Sequence, residues 1–306
     1  MKCDLCSSEA VTFVAYNGSH LCGEHLMKYV EKRVKKEIRK EIDVRSGDTI
    51  AVAVSGGKDS MVTLHILNDV FGRRPDVKLH VVTIDEGIGG YRPPSVEIVK
   101  EYCTAHDIPL SIRSFSEFGL TMDSVSSVAG ENSPCTYCGV FRRKLMNDEA
   151  REMGARFLAT GHNLDDMAQS IMMDFARGDV ERLARLGPHE RTKTGLIPRF
   201  HPLRTIPESE SLLYAIVAGI PFWDGECPYW TEALRNQYRD TIDNLEYRTP
   251  GIKFSILASY DEIKPMLYEK YPSVELNTCT CGEPCVGGIC KACEYEKMLK
   301  RRISDL

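Results

Sequence analysis

Ala51-Val52-Ala53-Val54-Ser55-Gly56-Gly57-Lys58-Asp59-Ser60 is the stretch on which the fold turns. Its first four residues are small or β-branched and apolar, and they read as the end of a buried parallel strand. Gly56 and Gly57 then allow a tight turn. Asp59 and Ser60 open a run (Met61, Val62, Leu64, Ile66, Leu67) at helical spacing. A strand, a glycine turn and a helix N-terminus form an anion site, because unpaired N–H groups and the helix dipole converge on the turn. Ser55, Ser60 and Lys58 add two hydroxyls and a cation, so phosphate is the expected ligand. The spacing is not that of a Walker loop, Gly-x-x-x-x-Gly-Lys-Ser/Thr.

Outward from this loop the pattern alternates. Residues 78–84 read as a second strand, ended by Asp85-Glu86-Gly87, and residues 94–106 as a helix. Strands are expected at 110–114 and 156–160, the last running into Gly161-His162. Alternating β and α over this length predicts an α/β fold with a doubly wound parallel sheet. Ligands in such sheets bind beyond the C-terminal strand ends. The 55–60 loop, Asp85 and Gly161 all fall at such ends, within reach of one nucleotide. After Gly161, Asp165 and Asp166 open another helix. Either carboxylate could hold Mg²⁺ or orient a nucleophile, and either could equally cap the helix.

The totals narrow the setting. A chain of 306 residues allows one large or two medium domains. With 42% hydrophobic and 27% charged residues it reads as soluble and globular. Its net charge of −5 gives no global field for nucleic acid, so an RNA partner would need local patches. The first residues lack a signal-peptide apolar region. The longest apolar stretch, 212–223, is broken by Gly219 and Pro221 and is too short to span a bilayer. A cytoplasmic protein without membrane association is expected. In that reducing setting, twelve cysteines at close spacing point to metal or redox centres rather than disulfides.

Cys3-x-x-Cys6 and, fifteen residues later, Cys22-x-x-His25 give two knuckles that close a tetrahedral Zn²⁺ site within a module of residues 1–27. Near the other end, Cys290-x-x-Cys293 is one knuckle of a second zinc site in a module of residues 271–306. Cys279 and Cys281 are expected to complete it, with Cys285 as the alternate. Between the modules lie Cys135-x-x-Cys138 and, much later, Cys227. Such a pair serves equally as a redox couple, half a knuckle or part of an iron–sulfur site. Three thiolates are too few for a Cys₄ site, and a cluster held by three leaves one iron open to a non-protein ligand. A persulfide on Cys135 or Cys138, resolved by Cys227, stays open. Cys103 reads as a buried core residue.

Residues 28–45 read as a basic linker helix before a catalytic domain of residues 46–270. Leu26, Val30, Val34, Ile38 and Ile42 make its apolar stripe, and its cations form either a solvated face or an RNA phosphate contact. Arg142-Arg143-Lys144 follows Cys138 on one expected helix. Arg182, Arg185, Arg191, Lys193, Arg199 and Arg204 fall in a Gly/Pro-punctuated stretch that reads as an exposed basic loop offered to RNA.

Residues 55–60 resemble the Ser-Gly-Gly-x-Asp-Ser loop of the PP-loop ATP pyrophosphatases. The order of all these motifs, over essentially the whole chain, resembles the TtuA/NcsA branch of the tRNA 2-thiolation enzymes, relatives of the cytidine-thiolating TtcA. That resemblance implies a [4Fe-4S] cluster on Cys135, Cys138 and Cys227. It implies ATP at Ala53, Ser55, Gly56, Gly57, Lys58, Asp59, Ser60, Ile84 and Gly161, and essential roles for Arg142 and Asp166. The implied activity is adenylation of a tRNA uridine at O2, aided by Mg²⁺ and Lys58, followed by sulfur transfer to C2. Asp165-Asp166-Met167-Ala168 and Phe175-Ala176-Arg177-Gly178-Asp179 look closer to the wobble-uridine enzymes than to those acting on the T-loop uridine. A homodimer and a sulfur donor (sulfide or a ubiquitin-like thiocarboxylate carrier) are implied as partners beside tRNA. The competing readings are a cluster-free persulfide thiotransferase and a non-catalytic, zinc-stapled RNA-binding scaffold.

Overall fold

The computed structural model describes residues 1–130, 132–188, 195–230, 235–272 and 276–305. A hairpin of β1 (Thr12–Val14) and β2 (Ser19–Leu21) leads into α1 (Gly23–Glu41). The central unit runs β3 (Thr49–Ala53), α2 (Lys58–Phe71), β4 (Lys78–Asp85), α3 (Arg92–Ala105), β5 (Leu110–Ser114), α4 (Met122–Ser127) and α5 (Pro134–Glu152). It continues with β6 (Phe157–Thr160), α6 (Leu164–Ala176), α7 (Val180–Ala184) and β7 (Arg199–Phe200). Three helices follow: α8 (Glu208–Val217), α9 (Arg235–Arg248) and α10 (Ile252–Lys270). A second hairpin, β8 (Asn277–Thr278) and β9 (Pro284–Cys285), precedes α11 (Lys291–Ser304).

The five central strands are parallel, in the order β5-β4-β3-β6-β7. The sheet is therefore the doubly wound one expected, extended by β7, whose two residues carry no apolar run to announce them. Strand order reverses at β3, which has β4 on one side and β6 on the other, and that reversal opens a crevice beyond the strand ends. Successive side chains of β3 and β4 enter opposite layers. Ile50, Val52, Leu79 and Val81 pack with α1, α2, α3 and α8. Ala51, Val82 and Ile84 pack with α4, α5 and α11. A third apolar cluster joins α6, α7 and α10 through Leu164, Met167, Ile171, Leu183, Leu257 and Tyr260.

Two basic segments depart from expectation. The helix α1 begins directly at the Cys22 knuckle and buries Leu26, Val30, Val34 and Ile38 in the main core, while Ile42 lies past its end. Its Arg33 donates to Glu210 at 2.9 Å and to the Tyr16 hydroxyl at 2.7 Å, so this cation is engaged within the protein rather than offered to RNA. Arg204 is no exposed loop residue either. It is 1% exposed and pairs with Glu37 at 3.2 Å, Glu41 at 3.5 Å and Asp261 at 2.5 Å. A guanidinium is carried into the interior only with partners, and α1 and α10 supply them. Arg199 lies in β7, Arg182 on α7, paired with Asp174 at 3.2 Å, and Arg185 caps that helix beside Glu181. Arg191 and Lys193 lie outside the described residues.

Candidate functional site

The 55–60 loop sits at the C-terminal end of β3. Gly56 has a φ of +86°, and a Cβ there would lie 2.4 Å from the Ser95 carbonyl oxygen, so only glycine fits. The Ser60 hydroxyl accepts from the Ser55 amide at 3.1 Å and donates to the Gly57 carbonyl at 2.8 Å, closing the turn on itself. Gly161, at the end of β6, meets the loop backbone to backbone: a Cβ would lie 2.8 Å from the Ser60 nitrogen and 2.9 Å from the Asp59 carbonyl carbon. A cavity of about 680 Å³ opens above these strand ends, within the ~300–1,000 Å³ usual for ligand sites. Ala53, Ser55, Gly57, Lys58, Asp59, Ser60, Ile84, Gly161, Arg142 and Asp166 all line it, whereas Gly56 shapes the turn from behind. The Lys58 ammonium reaches Asp59 at 3.0 Å and Glu208 at 2.7 Å. Burial opposes its charge, and the two carboxylates more than compensate, raising its pKa.

The terminal cysteine sets gather tightly. In each of Cys3–Cys6–Cys22–His25 and Cys279–Cys281–Cys290–Cys293 the donor atoms all lie within 4.8 Å of one another. Zinc–sulfur arms of about 2.3 Å in a tetrahedron set sulfur–sulfur edges of about 3.8 Å. The chain shows 3.7 Å for Cys6–Cys22, 3.8 Å for Cys279–Cys293 and 3.6 Å for Cys281–Cys290. His25 turns Nδ1 to the set, 3.2 Å from the Cys22 sulfur. Backbone N–H groups of Cys281 and Cys290 draw the Cys279 thiol down to about 6; at Cys3, amides of Cys22 and Leu5 outweigh burial to the same value. Cys285 stands apart, its thiol donating to the Gly287 carbonyl at 2.7 Å.

The central three are arranged differently. Cys135 and Cys138 lie in the first turns of α5, and Cys227 in the segment before α9. The Cys135 thiol is 3.6 Å from the Tyr229 carbonyl, two residues past Cys227, and Cys138 and Cys227 pack into the same apolar cluster. Among the described residues, only the two terminal sets draw three or more donors within 4.8 Å, so these three thiols converge more loosely than one tetrahedral ion requires. Burial pushes Cys138 up to about 12, with Arg142 partly opposing.

Residues 27–246 match a family described as a PP-loop domain, and residues 2–27 match one described as 2-thiouridine synthetase TtuA, N-terminal LIM domain. The tRNA 2-thiolation protein NcsA of Haloferax volcanii is 40% identical, covering 96% of this chain and 97% of that protein. The chain belongs to the PP-loop tRNA 2-thiolation family. It is also 32% identical to the tRNA-5-methyluridine(54) 2-sulfurtransferase of Pyrococcus horikoshii, over 96% of this chain and 93% of that one. A solved relative, the U34-tRNA thiolase NcsA from Methanococcus maripaludis with its [4Fe-4S] cluster, superposes with a TM-score of 0.84. It is 33% identical and covers 98% of this chain and 96% of that one.

Within this tRNA 2-thiolation protein several residues of the site had no sequence signal. Arg92 is 2% exposed and donates to the Ser55 carbonyl at 2.7 Å and to the Ile84 carbonyl, tying the ends of β3 and β4 together. Its Nε faces Glu86 at 2.6 Å, and the other Glu86 oxygen lies 3.6 Å from Arg142. Arg142 is itself 48% exposed in the cavity wall. The two candidate carboxylates separate. Asp165 is buried, gripping the Lys253 ammonium with one oxygen and accepting the Glu208 amide with the other at 2.8 Å, which leaves it no room for Mg²⁺. Asp166 caps α6 with Asn163 and pairs with Arg235 at 2.8 Å while facing the cavity. No described helix is long and apolar enough to cross a membrane.

Proposed function

We propose that this chain converts the wobble uridine of tRNA to 2-thiouridine, activating the base with ATP and drawing sulfur from a [4Fe-4S] cluster on Cys135, Cys138 and Cys227. One juxtaposition carries the reading. The helix α5 starts with Cys135 and Cys138 and brings Arg142, one turn on, into the wall of the cavity above the nucleotide loop.

ATP would rest its phosphates on the N-terminus of α2, the Ser55 and Ser60 hydroxyls and Lys58. The Asp59 carboxylate lines the cavity between Lys58 and the Ser211 hydroxyl, and a hard oxygen donor there suits Mg²⁺ accompanying the triphosphate. Uridine O2 attacks the α-phosphorus, pyrophosphate leaves, and C2 becomes electrophilic. Arg142, anchored by Glu86, offsets charge developing on the phosphate. Asp166, held by Arg235, positions the base, which must leave its stack to reach the cavity. The loosely converging Cys135, Cys138 and Cys227 suit a cluster rather than a single ion. When bound, such a cluster supplies an iron position free of protein thiolate, where sulfur for transfer can attach. The wobble target is supported by the U34 thiolase likeness and by the motifs of α6. Zn²⁺ in both terminal sets is supported by their edge lengths. Family resemblance supports a homodimer, a cytoplasmic setting, and sulfide or a ubiquitin-like thiocarboxylate carrier as donor.

The test combines metal analysis with nucleoside analysis. Anaerobically prepared protein should hold about four iron and four sulfide per chain, lost in Cys227→Ala. With ATP and a sulfide source it should form 2-thiouridine at the wobble position of unmodified tRNA. Thiolation with no iron after reconstitution would move the chemistry to a persulfide. No thiolation by a cluster-loaded chain would remove the function.

A further inference from the structure

Activating uridine at O2 creates a proton problem. As the C2–O2 electrons attack the α-phosphorus, the pair from N3–H forms the N3–C2 double bond, so the N3 proton must pass to a base. The paired carboxylates of the cavity wall are already engaged by cations. Asp59 and Glu208 face Lys58, Glu86 faces Arg92, and Asp166 faces Arg235. Asp224 and Glu226 lie on the exposed rim of the cavity.

We propose that His162 is the general base of the adenylation step, held by a Thr160–His201 relay to present a bare Nε2 to the uridine N3–H. This rests on the uridine-activating function argued above. His162 lines the cavity directly after Gly161. Its Nδ1 lies 2.6 Å from the Thr160 hydroxyl, which lies 2.7 Å from Nδ1 of buried His201. One hydroxyl proton cannot serve both rings, so at least one imidazole must donate from Nδ1. With His162 Nδ1–H donating to Thr160, and Thr160 O–H donating to His201, the free edge of His162 in the cavity is its Nε2 lone pair. The residue is exposed to the open cavity, and partial desolvation by the cavity walls lowers its pKa; Asp166 opposes this, and Arg235, Arg199 and Arg142 add to the lowering. On adenylation Nε2 takes the N3 proton, pyrophosphate departs, and the imidazolium keeps its bond to Thr160. When sulfide-level sulfur displaces AMP from C2, the proton returns to N3.

The experiment follows tRNA-dependent pyrophosphate release against pH, beside ATP affinity, in the cluster-loaded chain. His162→Asn keeps an Nδ1-like donor to Thr160 and removes the base. Its kcat should fall about 10²–10⁴-fold, with ATP Kd and melting temperature near those of the parent, and the acid limb of the parent profile should vanish. Thr160→Val, which removes the acceptor that stabilises the imidazolium, should move that limb to lower pH. A His162→Asn chain with unchanged kcat, or one that loses only ATP affinity, overturns the base while leaving the function standing. A parent chain that releases no pyrophosphate with tRNA overturns both.

Discussion

At the scale of single residues, the site depends on backbone contacts that tolerate no extra atom and on charges that tolerate no missing partner. Gly161 is the first case. Because its absent Cβ would meet the Ser60 nitrogen and Asp59 carbonyl carbon, both main-chain atoms, Gly161→Ala must push β6 away from α2. Overpacking of this kind costs about 1–3 kcal/mol. Calorimetry should find ATP bound at least about tenfold more weakly than by the parent, which corresponds to ~1.4 kcal/mol; unchanged affinity would remove the contact from the account. Arg92 is the second case. Arg92→Ala leaves buried Glu86 without its 2.6 Å partner and should cost about 3–5 kcal/mol in urea unfolding. Adding Glu86→Gln to that variant should recover part of the loss, and no recovery would locate the cost elsewhere. The loop was legible because its meaning is local: strand, Gly56 and helix start lie within ten residues. Arg92 was not, since its partner Ser55 is 37 positions away and Arg92-Pro93-Pro94 reads only as a helix beginning.

At the scale of elements, helix starts and tight turns organise the two terminal cysteine modules. Cys22 and Cys290 occupy the N-cap positions of α1 and α11, so each knuckle is also the first turn of a helix. The N-terminal grouping of Cys3, Cys6, Cys22 and His25 was legible from spacing alone. The C-terminal one was ambiguous because Cys279, Cys281 and Cys285 lie close enough in sequence to compete for two places. The β8–β9 hairpin separates them: Cys285 sits in β9 with its thiol turned to Gly287, and Cys281 reaches Cys290. Zinc analysis should therefore find about two ions per chain in the parent and in Cys285→Ser, and about one in Cys281→Ser. Loss in Cys285→Ser with retention in Cys281→Ser would reverse the assignment. The two-residue β7 shows the opposite limit. Its pairing with β6 fixes Arg199 beside the cavity helices, yet two residues generate no periodicity for a sequence to display.

At the scale of the whole molecule, Arg204 joins α1 to α10 through one buried guanidinium that faces several carboxylates. Its guanidinium faces Glu37, Glu41 and Asp261, and Lys40 assists only at Glu37, 3.7 Å away, and Asp261, 3.5 Å away. Glu41 accepts the His201 amide at 2.8 Å with one oxygen, while the other has no hydrogen-bond partner. Burial pushes its carboxyl from an ordinary 4.5 up to about 8; the His201 amide, Arg204 and Lys264 oppose this and Glu37 adds to it. The raised value fixes the sign of the pH response. Below the ordinary carboxylate range both folded and unfolded chains hold the proton, and the full contribution to stability is present. As pH rises, the unfolded chain releases its proton first and the folded chain keeps its own. Stability therefore falls until pH passes about 8, where the contribution is gone. The amide of Glu41→Gln cannot ionise and escapes this loss. Urea unfolding of the two chains from about pH 5 to about pH 8.5 should show the variant gaining on the parent as pH rises, with the difference levelling at the alkaline end. Parallel curves would mean that Glu41 is ionised in the folded chain at neutral pH, with Arg204 and Lys264 sufficient to hold its charge.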